Sequence, residues 1–189
     1  MKTVIMGAGA MGSLFGGLLA LKGEDIRLVG TRNEQIDTIC STGLTFEEKG
    51  KLKIIPMNAT SEVTSVVTAD LVIFFVKTYD TEKAVSDALV LEKEDTIFLT
   101  LQNGLGNEEV ICKKVDRKKV MLGITGHGAT LLGRAIFAML DGGKLLSGNW
   151  IIESPIGPIE LLGCFVMLKS KQRSPRISTT ACGRNSWSM

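Results

Sequence analysis

Little in this 189-residue chain is typical of a metalloprotein, a membrane protein or a nucleic-acid-binding protein. It has one histidine and four cysteines, no two of them spaced as CxxC, so a zinc site built from these residues is not expected. The net charge is only +2, which gives no reason to expect nucleic acid or a membrane as a partner. No stretch reaches the roughly 18 apolar residues of a membrane span.

The amino terminus also lacks the pattern of a secretory signal. Its short apolar run contains closely spaced glycines where a signal peptide would have a small-residue cleavage site. Reduced cysteines in the cytoplasm are therefore the expected state. A homo-oligomer is compatible with this composition but is not specified by it.

Strand-like and helix-like patterns alternate from the first residues onward. The segments KTVIMG (2–7) and DIRLVG (25–30) are typical of strands, and AMGSLFGGLLALKG (10–23) has helical spacing of its apolar residues. A second helical pattern begins after Asn33 and ends at Gly43. The order β-α-β-α implies parallel strands with right-handed crossovers. The predicted fold class is α/β, a Rossmann-type, doubly wound, mostly parallel sheet.

One segment interrupts this alternation before the strands resume. Residues 44–59 have the alternating pattern of an antiparallel hairpin around EEKG. The runs LVIFFV (71–76) and DTIFLTLQN (95–103) are predicted as further strands, each followed by a helical pattern. Residues 118–133 are predicted to add one or two more strands.

The segment GAGAMG has the form GxGxxG, which is weak evidence alone but informative between a strand and a helix. Gly7 permits a tight turn, Gly9 lets the backbone approach a pyrophosphate, and Gly12 lets the helix pack closely on the strand. The helix N-terminus offers free N–H groups to an anion. The alternative is a tight turn without a ligand. The predicted cofactor-binding turn comprises Gly7, Ala8, Gly9, Ala10, Met11 and Gly12.

The end of the second strand bears on the choice of dinucleotide. An NAD site usually has an acidic residue here, whereas this chain has Thr31 and Arg32. A guanidinium can form paired hydrogen bonds to a 2′-phosphate, so NADP(H) is favoured. In the alternative, Arg32 is merely exposed and Glu34 binds the ribose of NAD.

Two later strands end in polar residues. Lys77 follows LVIFFV, and Asn103 follows an apolar strand and precedes a glycine turn. Ligands of open α/β sheets bind outside the carboxyl ends of the strands, which favours ligand-facing roles for both. The alternatives are a solvated strand end for Lys77 and a turn-stabilising role for Asn103.

These segments, together with LGITGHGAT, occur in an order that resembles the N-terminal domain of the ketopantoate reductases (2-dehydropantoate 2-reductases) over about residues 1–133. The resemblance implies NADPH-dependent reduction of ketopantoate to pantoate, a step towards pantothenate and coenzyme A. It implies that Arg32 binds the 2′-phosphate and that Lys77 and Asn103 contact both cofactor and substrate. Ala129 would lie beside the cofactor through its backbone. His127 is expected to be structural rather than catalytic.

The carboxyl-terminal part departs from that family. The resemblance implies a helical second domain carrying a proton-donor lysine, and residues 134–189 contain no match to it, so the catalytic residue stays unassigned. This region has 7 Lys/Arg against 3 Asp/Glu and no clear period. The predicted domains are 1–133, an NADP-binding Rossmann domain, and 134–189, an atypical tail that is poorly ordered or a frame-shifted remnant.

Three functions are compatible with these patterns. The first is a ketopantoate-reductase-type oxidoreductase, present mainly as its cofactor domain and acting on a small 2-oxo acid. The second is another Rossmann dehydrogenase of small oxo or hydroxy acids. The third is a nucleotide-binding fragment without catalytic activity.

Overall fold

The structure is a computed structural model that describes residues 1–48, 50–123, 125 and 127–139, and the backbone of strands at 149–154 and 157–162. Its main sheet has six strands, all parallel to their neighbours. These are β1 (Lys2–Met6), β2 (Asp25–Val29), β5 (Asn58–Thr60), β6 (Leu71–Phe74), β7 (Ile97–Thr100) and β8 (Val120–Leu122). The predicted α/β class with a mostly parallel, Rossmann-type sheet is confirmed.

The strand order places a ligand crevice at the centre of this sheet. The order is β5-β2-β1-β6-β7-β8, so the chain builds outward from β1 in one direction and then returns to continue from β6 in the other. Such a reversal is a topological switch point, and ligands of open α/β sheets bind outside the carboxyl ends of the strands there. The crevice therefore lies where β1 and β6 end, next to Gly7 and Val76.

Four helices connect these strands. They are α1 (Ala10–Ala20), α2 (Asn33–Thr42), α3 (Thr81–Ala88) and α4 (Asn107–Cys112), with 3-10 turns at Val63–Ser65, Thr78–Asp80, Leu89–Leu91 and Arg117–Lys119. The first helix ends at Ala20, before Gly23, because Leu21 to Gly23 close a turn in which Gly23 adopts φ +88°. Arg32, not Asn33, is the N-cap residue of α2.

The parallel sheet separates two apolar cores because successive side chains of a strand point to opposite faces. Ile5 of β1 and Ile73 of β6 pack on the face covered by α1 and α2, and Val4 and Phe74 pack on the face covered by α3 and α4. All four side chains are fully buried. The continuous apolar run in the sequence is thus explained by a strand that is covered on both faces.

A second sheet covers α1 from the other side. It has the order β4-β3-β10-β9, formed by β3 (Leu44–Glu48), β4 (Lys51–Ile55), β9 (Ala129–Leu131) and β10 (Ile136–Met139). The antiparallel β3–β4 pair confirms the predicted hairpin, and β10 joins it in parallel to β3. Strand β4 is an edge strand whose Leu52 and Ile54 are about two-thirds exposed (65% and 64%).

Helix α1 lies between the two sheets, and adjacent glycines allow the close approach on each side. A Cβ on Gly16 would lie 2.9 Å from the Leu28 side chain of the parallel sheet. A Cβ on Gly17 would lie 3.0 Å from Phe137 of β10 and 3.1 Å from Ile55 of β4. Phe137 in turn stacks on Phe46 of β3, with ring centroids 5.0 Å apart. The second sheet therefore holds α1 against the parallel sheet.

Strand β10 and the separate antiparallel pair β11 (Asn149–Ser154) and β12 (Gly157–Leu162) lie beyond the predicted boundary at Gly133. Most of the predicted tail, 134–189, falls outside the described residues, so the boundary and the frame shift stay predictions. No helix in the described part of the chain is long and apolar enough to cross a membrane.

Candidate functional site

The turn that follows β1 touches the end of β6 directly. Gly7 adopts φ +114°, a left-handed conformation that favours glycine, and a Cβ there would lie 2.9 Å from the backbone of Phe75 and Val76. The Gly7 N–H donates to Val29 O of β2 at 2.8 Å. The turn is therefore fixed to both neighbouring strands, at the point where the strand order reverses.

Two more glycines are required by contacts within the protein. A Cβ on Gly12 would lie 1.9 Å from the carbonyl oxygen of Gly7, so the first turn of α1 can lie this close to the β1 turn only with glycine. A Cβ on Gly30, at the end of β2, would lie 2.8 Å from the Ala8 Cβ. Both positions are explained without a ligand.

Gly9 has a different environment. A Cβ built there would meet no atom within 4 Å, and its φ of −74° is open to any residue. Gly9 is also the N-cap of α1, which has neither a side-chain cap nor an acidic residue in its first turn. The start of α1 therefore has no side-chain cap, and the space beside Gly9 is open, an arrangement that suits a bound anion such as a phosphate.

The buried amide of Gln35 orients this turn. Its Nε2 reaches from α2 and donates to the Ala8 carbonyl at 2.6 Å. Ser13 Oγ donates to the same carbonyl at 3.4 Å. The Ala8 oxygen therefore points into the protein, away from the anion position at the start of α1. Sequence reasoning missed Gln35, although a buried polar residue on the inner face of a helix is a usable signal.

Charged side chains meet at the end of β2. Arg32 is exposed at the N-cap of α2, and Glu34 lies in the first turn of the same helix. The carboxylate of Glu34 pairs with Arg134 from the β9–β10 turn at 2.9 Å. The acidic group that the NAD alternative needs is thus already paired with a cation. Nothing in the sequence pattern singled out Arg134.

Lys77 and Asn103 lie at adjacent strand ends. Both are exposed, Lys77 three residues after β6 and Asn103 three residues after β7. The Thr78 hydroxyl donates to the Asn103 carbonyl at 3.4 Å, so the two loops are in direct contact. The structure therefore places both predicted residues beyond the carboxyl ends of the strands, where the Gly7–Gly12 turn also lies.

His127 and Ala129 belong to the segment that leads into the second sheet. The His127 ring packs edge-on against Phe15 of α1, with centroids 5.9 Å apart, and its Nδ1 lies 3.2 Å from the Thr125 hydroxyl. Ala129 is in β9 and pairs with Met139. Ala129 is thus in a different sheet from the strand ends that carry Lys77 and Asn103. Among the described residues, no group of histidine, cysteine and acidic side chains could hold a metal ion.

The parallel sheet, its central switch point and a glycine turn at an uncapped helix end define a Rossmann-type α/β protein. The match to known sequences is more specific. The family model described as "Ketopantoate reductase PanE/ApbA" matches residues 3–151, so the chain belongs to this family. The match extends past Gly133, through β10 and into β11.

Curated relatives carry the name 2-dehydropantoate 2-reductase. The protein from Pyrococcus horikoshii is 45% identical over 133 residues, covering 69% of this chain and 42% of its own length. The protein from Halobacterium salinarum is 33% identical over 151 residues, covering 79% of this chain and 50% of its own length. The chain thus spans about half the length of the curated relatives that it matches.

Solved structures agree with this fold. A D-mandelate dehydrogenase in a ternary complex with NADH and anilino(oxo)acetate is 35% identical, with a TM-score of 0.70 over 74% of this chain and 46% of the other. A putative 2-dehydropantoate 2-reductase from Enterococcus faecalis is 31% identical, with a TM-score of 0.69 over the same shares. The similar structures are thus named for two different substrates, mandelate and 2-dehydropantoate.

Substitutions at the second and third glycines of the fingerprint, Gly9 and Gly12, should distinguish a glycine that the fold requires from one that leaves space for a ligand. Gly12→Ser places a Cβ against the Gly7 carbonyl and is expected to lower the free energy of unfolding by about 2 kcal/mol or more. Gly9→Ser enters open space at a position where serine is a favourable N-cap, so a change within about 0.5 kcal/mol is expected. Urea unfolding followed by circular dichroism measures both. Equal losses for the two variants would contradict the assigned environments.

Proposed function

We propose that the chain is the NADP(H)-binding part of an oxidoreductase that reduces 2-dehydropantoate (ketopantoate) to pantoate. The observation that carries the proposal is Gly9: the protein leaves open space around this glycine at the uncapped start of α1, at the switch point of a parallel sheet. Membership of the ketopantoate reductase family supports the same conclusion. In that role the enzyme would serve the synthesis of pantothenate and coenzyme A.

The residues of the crevice fit a dinucleotide. The turn from Gly7 to Gly12, including Ala8, Ala10 and Met11, would bind the pyrophosphate through backbone N–H groups. The adenosine half would then extend toward the end of β2, and the nicotinamide half toward the ends of β6 and β7. Ala129 would contact the cofactor through its backbone, from β9 of the four-stranded sheet.

The phosphate group of NADP(H) is assigned to Arg32. Its guanidinium is exposed at the end of β2 and can form paired, charge-assisted hydrogen bonds to a 2′-phosphate. Glu34 lies 2.9 Å from Arg134, but both side chains are largely exposed (75% and 68%), so the pair contributes little and the preference rests on Arg32.

The residues at the ends of β6 and β7 would hold the substrate. NADPH, when bound, supplies a hydride to the carbonyl carbon of the oxo acid. The Lys77 ammonium group would bind the substrate carboxylate or stabilise the negative charge that develops on the carbonyl oxygen. The Asn103 amide would donate a hydrogen bond to cofactor and substrate, which fixes the geometry of transfer. We assign no proton donor within this chain.

A second candidate is an NADH-using dehydrogenase of another small 2-hydroxy or 2-oxo acid. The 35% identity to D-mandelate dehydrogenase, whose structure contains NADH, favours this alternative. It would use Glu34 at the adenosine ribose, which requires the carboxylate to leave Arg134. The alternatives differ in cofactor as well as substrate, so cofactor affinities are informative before any turnover is measured.

Two further assignments follow from the same proposal. We propose a cytoplasmic location, in keeping with the thiols of Cys40 and Cys112, which are unpaired among the described residues. We also propose that residues 1–133 form the cofactor domain. Because the chain spans about half of its relatives, binding of NADPH should be easier to detect than turnover.

The proposal predicts saturable NADPH binding that depends on the space at Gly9. Gly9→Ser should weaken NADPH binding at least tenfold, because the new side chain occupies the position of the pyrophosphate. Titration of NADPH fluorescence measures the affinity, and the unfolding experiment above establishes that the variant is folded. Unchanged affinity in a folded variant would remove the central argument for the site.

Arg32→Ala should change cofactor preference rather than overall affinity. NADPH binding should weaken by about 10- to 100-fold, since a hydrogen bond to a charged group contributes about 1.5–3 kcal/mol, and NADH binding by less than about twofold. Arg117→Ala is the matched control. Arg117 is an exposed arginine that precedes β8, at the amino ends of the parallel strands and away from the proposed site. Equal losses for NADPH and NADH would contradict the phosphate role of Arg32.

The substrate is tested by following NADPH and NADH absorbance with ketopantoate and with the 2-oxo acid of mandelate. If the chain is catalytically active, we expect it to oxidise NADPH when ketopantoate is the substrate. Oxidation of NADH only with the other oxo acid would favour the second candidate. Tight binding of NADPH without oxidation by either acid would indicate that the chain binds the nucleotide but does not catalyse the reaction.

A further inference from the structure

A buried group of polar side chains lies between the ends of β6 and β7, beneath the loops that carry Lys77 and Asn103. Its members are Thr81, Thr100, Gln102 and Asn107, with exposed fractions of 0%, 0%, 9% and 1%. Buried amides and hydroxyls are stable only when hydrogen-bonded, and every one of these side chains has a protein partner. The group is therefore a specific network.

The Gln102 amide is the centre of this network. Its Nε2 donates to the Val76 carbonyl at 2.8 Å and to the Thr81 hydroxyl at 2.8 Å. Its Oε1 accepts from the Thr100 hydroxyl at 3.0 Å. One side chain thus joins the end of β7 to the residue immediately before Lys77 and to the first residue of α3.

The network continues to the other predicted ligand-facing residue. The Thr81 hydroxyl donates to Asn107 Oδ1 at 3.2 Å, and Asn107 Nδ2 donates to the Asn103 carbonyl at 3.2 Å. A continuous series of hydrogen bonds therefore runs from the backbone beside Lys77 to the backbone of Asn103. Thr81 Oγ1 is the single atom that connects the two amides.

The Lys77 and Asn103 side chains themselves have no hydrogen-bond partner in the part of the chain that the structure describes. Their positions therefore depend on the backbone from which they project. That backbone belongs to two separate loops, and the buried amides fix each loop from below. A displacement of either loop would change the separation of the ammonium group and the amide.

We propose that Gln102, acting through Thr81 and Asn107, is a positioning residue that sets the relative placement of Lys77 and Asn103 at the nicotinamide end of the dinucleotide site. This inference rests on the proposed function. Gln102 is buried beside Asn103 and its side-chain hydrogen bonds are all made within the protein, so it would act without touching cofactor or substrate. It governs binding of the nicotinamide half, while the adenosine half depends on the Gly7–Gly12 turn and Arg32.

The test compares two ligands on the full chain, NADPH and 2′,5′-ADP, which contains only the adenosine half. Gln102→Met keeps the length of the side chain but removes its hydrogen bonds. It should weaken NADPH binding on the order of tenfold and leave 2′,5′-ADP binding unchanged. Equal losses for the two ligands, or unchanged NADPH binding, would overturn the inference.

Thr81 gives a second, independent pair of variants should Gln102→Met not fold. Thr81→Val removes the linking hydroxyl at nearly constant volume, and Thr81→Ser retains it. NADPH binding should fall in the first and return in the second. Thr96→Val is the structural control. Thr96 is equally buried and hydrogen-bonded, but it precedes β7 and so lies at the amino ends of the strands, away from the proposed site. Wild-type affinity in Thr81→Val would contradict the network's role.

Combining Gln102→Met with substitutions of Lys77 and Asn103 distinguishes a positioning role from a general loss of stability. When Lys77 and Asn103 are both alanine, Gln102→Met should cause no further loss of NADPH affinity, because it acts through them. An additive loss would overturn the inference. Failure of the wild-type chain to bind NADPH would instead refute the proposed function itself, and 2′,5′-ADP binding identifies which half of the site is at fault.

Discussion

The fold depends on how closely helix α1 approaches the structures on both sides of it. Gly12 places its first turn against the β1 turn, Gly16 lies on the parallel sheet, and Gly17 lies under Phe137 of the second sheet. Interiors are packed densely enough that one added methyl group at such contacts must displace a neighbour. Since the N-terminus of α1 is also the candidate anion site, packing in the core determines where the N–H groups of this site lie.

Buried side-chain amides fix the loops on either side of the crevice. Gln35 holds the Ala8 carbonyl inward on the β2 side of the crevice, and Gln102 holds the Val76 carbonyl on the β7 side. Gln35 lies in α2 and Gln102 in the loop after β7, so each glutamine fixes a segment other than its own. The loops at the carboxyl ends of the strands are therefore held by buried hydrogen bonds across elements, and the exposed side chains that they carry are free to meet a ligand.

The sequence predicted the parallel sheet, the hairpin and the glycine turn because each follows from local spacing. It did not reveal the second sheet, since the parallel pairing of β10 with β3 joins segments about 90 residues apart and leaves no local pattern. AIFAM around β10 is also apolar throughout, so it lacks the alternation that identifies a half-exposed strand. The Glu34–Arg134 pair and the partners of Gln102 were invisible for the same reason: both depend on which loops meet in space.

The edge strand β4 poses a different problem for the molecule. Among the described residues, its outer ladder has no partner strand, and the exposed Leu52 and Ile54 make it an apolar template for another chain. Lys51 and Lys53 alternate with them, so two copies that aligned along β4 would bring ammonium groups into proximity. The two lysines thus place like charges along this exposed strand, which disfavours pairing of two copies through β4.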